Sequence, residues 1–188
     1  MRILILGPQG SGKGTQAQRI AAAYGVPHIA TGDMFRAAVA TGSELGAQVG
    51  PILERGDLVP DDLTIELIRE RLAEEEGFVL DGFPRTVPQA EALDSMLDEI
   101  GKPLDAVILL QVSDEVATER LRERASKEGR ADDSPEAIAN RLRQYHELTE
   151  LVVDRYQQAG IEVIVDGEQT MDDVFVAIQD ALEGVTAP

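Results

Sequence analysis

The sequence predicts a three-layer α/β sandwich, in which a five-stranded parallel sheet is flanked by helices and carries two mobile inserts. Three observations predict it. Five short apolar runs recur along the chain, Arg2 to Leu6, Val26 to Ala30, Phe78 to Leu80, Ala106 to Val112 and Ile161 to Val165, and continuous runs of this kind mark parallel strands buried on both faces. Longer stretches of helical periodicity separate them, as the crossovers between parallel strands require. The first run leads directly into a glycine-rich loop, Gly7-Pro8-Gln9-Gly10-Ser11-Gly12-Lys13-Gly14-Thr15, which opens onto a helical segment from Gln16.

Each element has its own local warrant. The loop after the first strand is a phosphate loop, or P-loop: glycines let the backbone curl with several N–H groups inward, the following helix adds its positive dipole end, and Lys13 adds a charge. Gly25 marks the end of that helix. The segment 31–59 does not fit the sheet-and-crossover rhythm; Gly42 and Gly56 punctuate two short helical stretches, and Gly50-Pro51 predicts a kink in the second. Thr86-Val87-Pro88-Gln89 reads as a capping box opening the helix after the third strand. A second insert, the polar stretch 125–133, follows the fourth strand's helix. Ser134-Pro135 then supplies a cap and a first-turn proline, and apolar residues at Ile138, Leu142, Tyr145, Leu148, Val152 and Tyr156 predict one long amphipathic helix. Gly160 ends it, and Thr170 caps the last helix after the fifth strand.

With 188 residues and 43% apolar content, the chain suits one compact domain spanning 1–188. No run approaches the roughly 18 to 20 apolar residues of a membrane span, and the start reads as strand and loop, so a cytoplasmic protein is expected. Zero cysteines exclude disulfides and thiolate zinc sites. The 35 acidic against 17 basic side chains, net charge −18, argue against nucleic acid or an anionic membrane as partner. A polyanion-binding loop is compatible with that charge if the few cations gather in one cleft. Fourteen of the seventeen are arginine, which grips phosphate bidentately.

Two further segments narrow the reading: Ala30-Thr31-Gly32-Asp33-Met34-Phe35-Arg36 after the second strand, and Leu80-Asp81-Gly82-Phe83-Pro84-Arg85-Thr86 after the third, with Gln89 beyond. Together with Gly10-Ser11-Gly12-Lys13-Gly14-Thr15 they make the chain resemble the adenylate kinases, from Met1 to about Ala181. Gly14 stands where a generic phosphate loop has a Ser or Thr for Mg²⁺. The missing long, sometimes zinc-binding lid segment points to the short bacterial type.

The resemblance implies reversible phosphoryl transfer from ATP to AMP, giving two ADP, with Mg²⁺ arriving on the nucleotide and no zinc. It implies that Gly10, Ser11, Gly12, Lys13, Gly14 and Thr15 wrap the ATP phosphates, with Arg124 and, through its backbone, Gln169. It places AMP against Thr31, Arg36, Asp57, Leu58, Val59, Gly82, Phe83, Pro84, Arg85 and Gln89, with Arg130 and Arg141 joining. Lys13, Arg85, Arg124, Arg130, Arg141 and Asp132 would surround the transferring group, and Asp81 would hold Mg²⁺, directly or through water. For Gln89 a second role stands open, the return bond of the capping box. Arg120, Arg122 and Arg143 read as solvated faces, and His28 and His146 as a strand-flanking and a helix-surface residue. Because the acceptor is an already ionised phosphate, no general base is needed; the chemistry requires converging cations and exclusion of water. A kinase for another nucleoside monophosphate and a non-enzymatic nucleotide switch are the alternatives, and a monomer is expected.

Overall fold

The computed structural model describes residues 1–128 and 131–186. Its strands are β1 (Arg2–Leu6), β2 (His28–Ala30), β3 (Phe78–Asp81), β4 (Ala106–Gln111) and β5 (Glu162–Asp166), all parallel in the order β2-β3-β1-β4-β5. The apolar runs thus locate all five strands to within two residues at either end. In the central strand Leu4 lies opposite Leu80 on one side and Val107 on the other. The order reverses direction at β1, and in open α/β sheets such a switch point opens a crevice beyond the strand ends.

The helices are α1 (Lys13–Tyr24), α2 (Thr31–Ala40), α3 (Glu44–Glu54), α4 (Asp61–Leu72), α5 (Val87–Glu99), α6 (Asp114–Glu128), α7 (Pro135–Gln144), α8 (Glu150–Ala159) and α9 (Met171–Thr186). Strand alternation sorts β1 between two cores. Leu4 and Leu6 join Ile68 and Leu72 of α4, Leu93 and Leu97 of α5, and Val152 and Tyr156 of α8. Ile3 and Ile5 join Ala17 and Ile20 of α1 with Val174, Ile178 and Leu182 of α9. Each buried Val, Leu or Ile side chain among these contributes about 1.5–3 kcal/mol, which is why the central strand carries no polar side chain after Arg2. Two smaller clusters lie outside these layers, Ala117, Leu121, Ile138 and Leu142 between α6 and α7, and Phe35, Val49 and Val59 within the first insert.

Caps fall where the sequence places them. Thr86 accepts from the Gln89 N–H (3.4 Å), Ser134 from Ala137 (3.2 Å) and Thr170 from Asp173 (3.2 Å). Helix α3 runs through Pro51; the bond that proline cannot donate belongs to the carbonyl of Ala47, on the helix's exposed side, where water can take its place. Two local expectations are corrected. Residues 125–128 belong to α6 and Ala131–Asp133 form a 3₁₀ turn, so the second insert is mostly helical in its described part. The long helix is also interrupted: Tyr145–Thr149 is a π-turn between α7 and α8. Its extra residue rotates the face, leaving Leu148 exposed and burying Thr149 instead.

Candidate active site

The loop between β1 and α1 is held by close backbone approach. Gly10 has φ +89°, and a Cβ there would stand 2.4 Å from the Ala117 carbonyl oxygen of α6, so only glycine fits. Gly12, at φ +94°, is the left-handed cap of α1. The loop wraps the Lys13 ammonium, which donates to the carbonyls of Gly7 and Pro8, both at 2.7 Å. Loss of solvent lowers the Lys13 pKa to about 8; the Asp81 carboxylate opposes this shift, and Arg85 and Arg124 add to it.

A cavity of about 480 Å³ opens from this loop, lined by Lys13, Asp81, Arg36, Arg85, Arg120, Arg124, Asp132 and Arg141 together with Gly10, Gly12, Gly14 and Thr15. Among the described residues six cations line this one space, in a chain of charge −18, and this is the concentration the composition required. A second cavity of about 640 Å³ lies between β4, β5 and the π-turn, but its described lining contains no Arg or Lys and includes Asp114, Glu150, Asp154, Glu162, Asp166 and Glu168. It repels phosphate. His146 sits there as a surface clasp, 2.7 Å from Glu150 and 3.0 Å from Asp114, and these carboxylates raise its pKa.

The cations are held by carboxylates. Asp133, whose side chain has no exposure, accepts from Arg124 Nε (2.8 Å) and Nη2 (2.7 Å) and from Arg141 Nη1 (2.9 Å). Asp132 takes the other arm of Arg141 and lies 3.5 Å from Arg36, which also binds Asp33 at 2.6 Å. Arg85 has its Nε on the Gly82 carbonyl at 2.8 Å. Burial lowers its pKa to about 10, and the like charges of Arg141 and Arg36 contribute while Asp81 and Asp132 oppose. A guanidinium pressed by two others marks a place that favours an anion. Arg130 lies outside the described residues.

Beside this cavity is a narrow slot of about 40 Å³ formed by Thr31, Gly32, Phe35, Leu53, Asp57, Leu58, Val59, Thr64, Gly82, Arg85 and Gln89. The Thr31 hydroxyl donates to the Gly82 carbonyl at 2.9 Å. Gln89, 2% exposed, accepts the Arg85 N–H at 2.8 Å and donates to Asp61 at 2.7 Å. Its return bond therefore goes to Arg85 and not, as a capping box would have it, to Thr86. Phe83 is fully buried in the main core and lines none of the three cavities around the loop. Pro84, joined to Phe83 by a cis peptide bond, lines a small recess with Lys13 and Arg85.

Sequence reading missed three contributors. Arg120 is no solvated face: it lines the central cavity and donates to the carbonyls of Gly167 (2.8 Å) and Ser11 (3.4 Å). Arg122 and Arg143 are exposed, as expected. His28 also lines the cavity, with Nε2 3.7 Å from the Asp81 carboxylate. Burial alone would raise the Asp81 pKa, but His28 and Lys13 bring it below the ordinary value. Thr149, buried by the π-turn, donates to the Arg85 carbonyl at 3.0 Å. Gln169, by contrast, is exposed and turned to Asp166 at 3.4 Å; the residue of its loop that meets Arg120 is Gly167.

A P-loop beside a second cluster of arginines, with a slot opening off it, is the arrangement of a kinase whose acceptor is itself a phosphate, a nucleoside monophosphate kinase. The adenylate kinase family model matches residues 5–161. The chain is 47% identical over 187 residues to the adenylate kinase of Stenotrophomonas maltophilia (strain R551-3), covering 98% of this chain and all of that one. It is 48% identical over 185 residues to that of Xanthomonas campestris pv. campestris (strain B100), covering 97% and 99%. The chain belongs to the adenylate kinase family, and its reaction is the reversible transfer of a phosphoryl group from ATP to AMP, giving two ADP.

Proposed function

We propose that the two nucleotides of this reaction meet in the arginine-lined cavity, the ATP phosphates on Gly10 to Thr15 and the AMP in the slot of Thr31, Val59 and Gln89. The observation that carries this reading is that Arg36, Arg85 and Arg141 line the same space as Lys13. A switch protein needs one phosphate site, and these arginines supply a second. Arg36 and Arg85 hold the AMP phosphate. Lys13, Arg85, Arg124 and Arg141, with Arg130, surround the transferring group and stabilise the charge that spreads over its oxygens. Asp132 and Asp133 are counter-ions that keep the arginines placed between turnovers, and Arg120 steadies the ATP side through Ser11 and Gly167.

Asp81 suits the Mg²⁺ that accompanies ATP. It is an ionised carboxylate at the end of β3, and a Cβ at Gly14 would come within 3.5 Å of its Oδ2. Among the described residues no group of three acidic or imidazole ligands could hold a metal alone; the ion arrives with the nucleotide. When bound, the ion neutralises phosphate charge. The inserts 31–59 and 125–133 close on ligand, exclude water and limit turnover by reopening. No described helix is long and apolar enough to cross a membrane. The protein acts as a cytoplasmic monomer on ATP, AMP and ADP, with no nucleic-acid partner. A coupled assay of the pure protein with MgATP and each nucleoside monophosphate tests the reading; turnover is expected with AMP, and silence with AMP beside turnover with UMP or CMP would overturn it.

A further inference from the structure

The Gln89 amide is fixed by a residue from another element. Asp61, the first residue of α4, accepts from Gln89 Nε2 at 2.7 Å through Oδ1 and from the Thr86 hydroxyl at 2.9 Å through Oδ2. On the other side of the amide, the Arg85 backbone N–H donates to Oε1 at 2.8 Å. An ionised carboxylate only accepts and a backbone N–H only donates, so a single sense of the amide satisfies both; the reverse would set carbonyl against carboxylate and two donors face to face.

An amide has two N–H groups and two lone pairs. One of each is spent on Asp61 and Arg85, which leaves one N–H and one lone pair side by side on a group that lines the slot. That remaining edge complements a base presenting an amino group next to an unprotonated ring nitrogen, the edge of adenine. A 6-oxopurine presents a carbonyl next to a ring N–H and requires the amide reversed. We propose that Asp61 is a specificity-determining positioning residue, which locks the Gln89 amide in the sense that accepts 6-aminopurine and rejects 6-oxopurine monophosphates. This rests on the reading of Gln89 as the base contact. Asp61 acts from 28 residues away, across the joint where the first insert rejoins the sheet.

The test is kcat/KM for AMP and for inosine monophosphate, at saturating MgATP, in wild type, Asp61→Asn and Gln89→Leu. Asparagine is isosteric but can present either oxygen or amide nitrogen to Gln89, so the reversed amide becomes accessible. Losing a charge-assisted orienting bond of about 1.5–3 kcal/mol should lower the AMP-to-IMP ratio in Asp61→Asn at least about tenfold, with Gln89→Leu lowering it as well. Equal losses for both substrates, or an unchanged ratio, in Asp61→Asn while Gln89→Leu lowers the ratio would overturn the role of Asp61 alone. An unchanged ratio in Gln89→Leu would overturn the base-contact reading and the role of Asp61 with it.

Discussion

Replacing Asp133 with alanine removes the counter-ion of two arginines at once. Its side chain has no exposure, and three N–H···O contacts of 2.7, 2.8 and 2.9 Å converge on it. Arg141 is 10% exposed and keeps Asp132, whereas Arg124, 28% exposed, is left facing water in part. Breaking a buried ion pair by deleting one partner costs about 3–5 kcal/mol, because the remaining charge stays desolvated. Partial access of Arg124 to water and the retained Asp132 place the cost near the lower end, about 3 kcal/mol. For a chain of this length that is a fall in Tm of about 6–12 °C. Thermal unfolding followed by circular dichroism measures it. The same melt with ATP and AMP present should show a smaller fall, because phosphate oxygens take over the orphaned guanidiniums. A loss below about 1 kcal/mol, or one unchanged by nucleotides, would refute the counter-ion reasoning.

Other outcomes follow from the same geometry. The folded Lys13 pKa of about 8 lies below the ordinary 10.5, so the native state binds fewer protons than the unfolded state between these values. Its contribution to stability therefore rises with pH across that window, while KM for ATP should climb above pH 8 as the loop loses its charge, which initial rates at fixed AMP will show. Gly10→Ala puts a Cβ 2.4 Å from the Ala117 carbonyl at a positive φ. A penalty of at least about 1–3 kcal/mol from the backbone conformation alone, together with loss of ATP binding by calorimetry, is expected. Arg120→Ala should raise KM for ATP several-fold and leave KM for AMP nearly unchanged, since its bonds reach Ser11 and Gly167 and not the slot.

What the sequence reveals and what it conceals divide along a physical line. Strand runs, the P-loop, the glycines that end helices and the caps at Thr86, Ser134 and Thr170 are local: each states its conformation in a few consecutive residues. The five strands and most of the cavity's cations, Lys13, Arg36, Arg85, Arg124 and Arg141, were legible for that reason, aided by the family pattern. Arg120 was not, because the partner that distinguishes it from Arg122 lies 109 residues away in the chain. His28 reads as a strand residue until β3 brings Asp81 beside it. Asp61 looks like an acid at a helix start, and only the packing of α4 against α5 makes it a partner of Gln89. The π-turn is hidden for another reason: the apolar spacing of three and four fits a straight helix, and nothing in Tyr145–Thr149 announces the extra residue that turns Thr149 toward Arg85.

The central claim, that arginines from separate elements converge on the transferring phosphoryl group, is tested most directly by kcat of Arg85→Ala. Arg85 is repelled by Arg141 and Arg36 in the ligand-free protein, so its removal should leave Tm unchanged or slightly higher. Loss of one preorganised donor at the developing charge should lower kcat by about 10²–10³. A variant with kcat within about threefold of wild type and only a raised KM for AMP would contradict the claim, and would make Arg85 a holder of AMP alone.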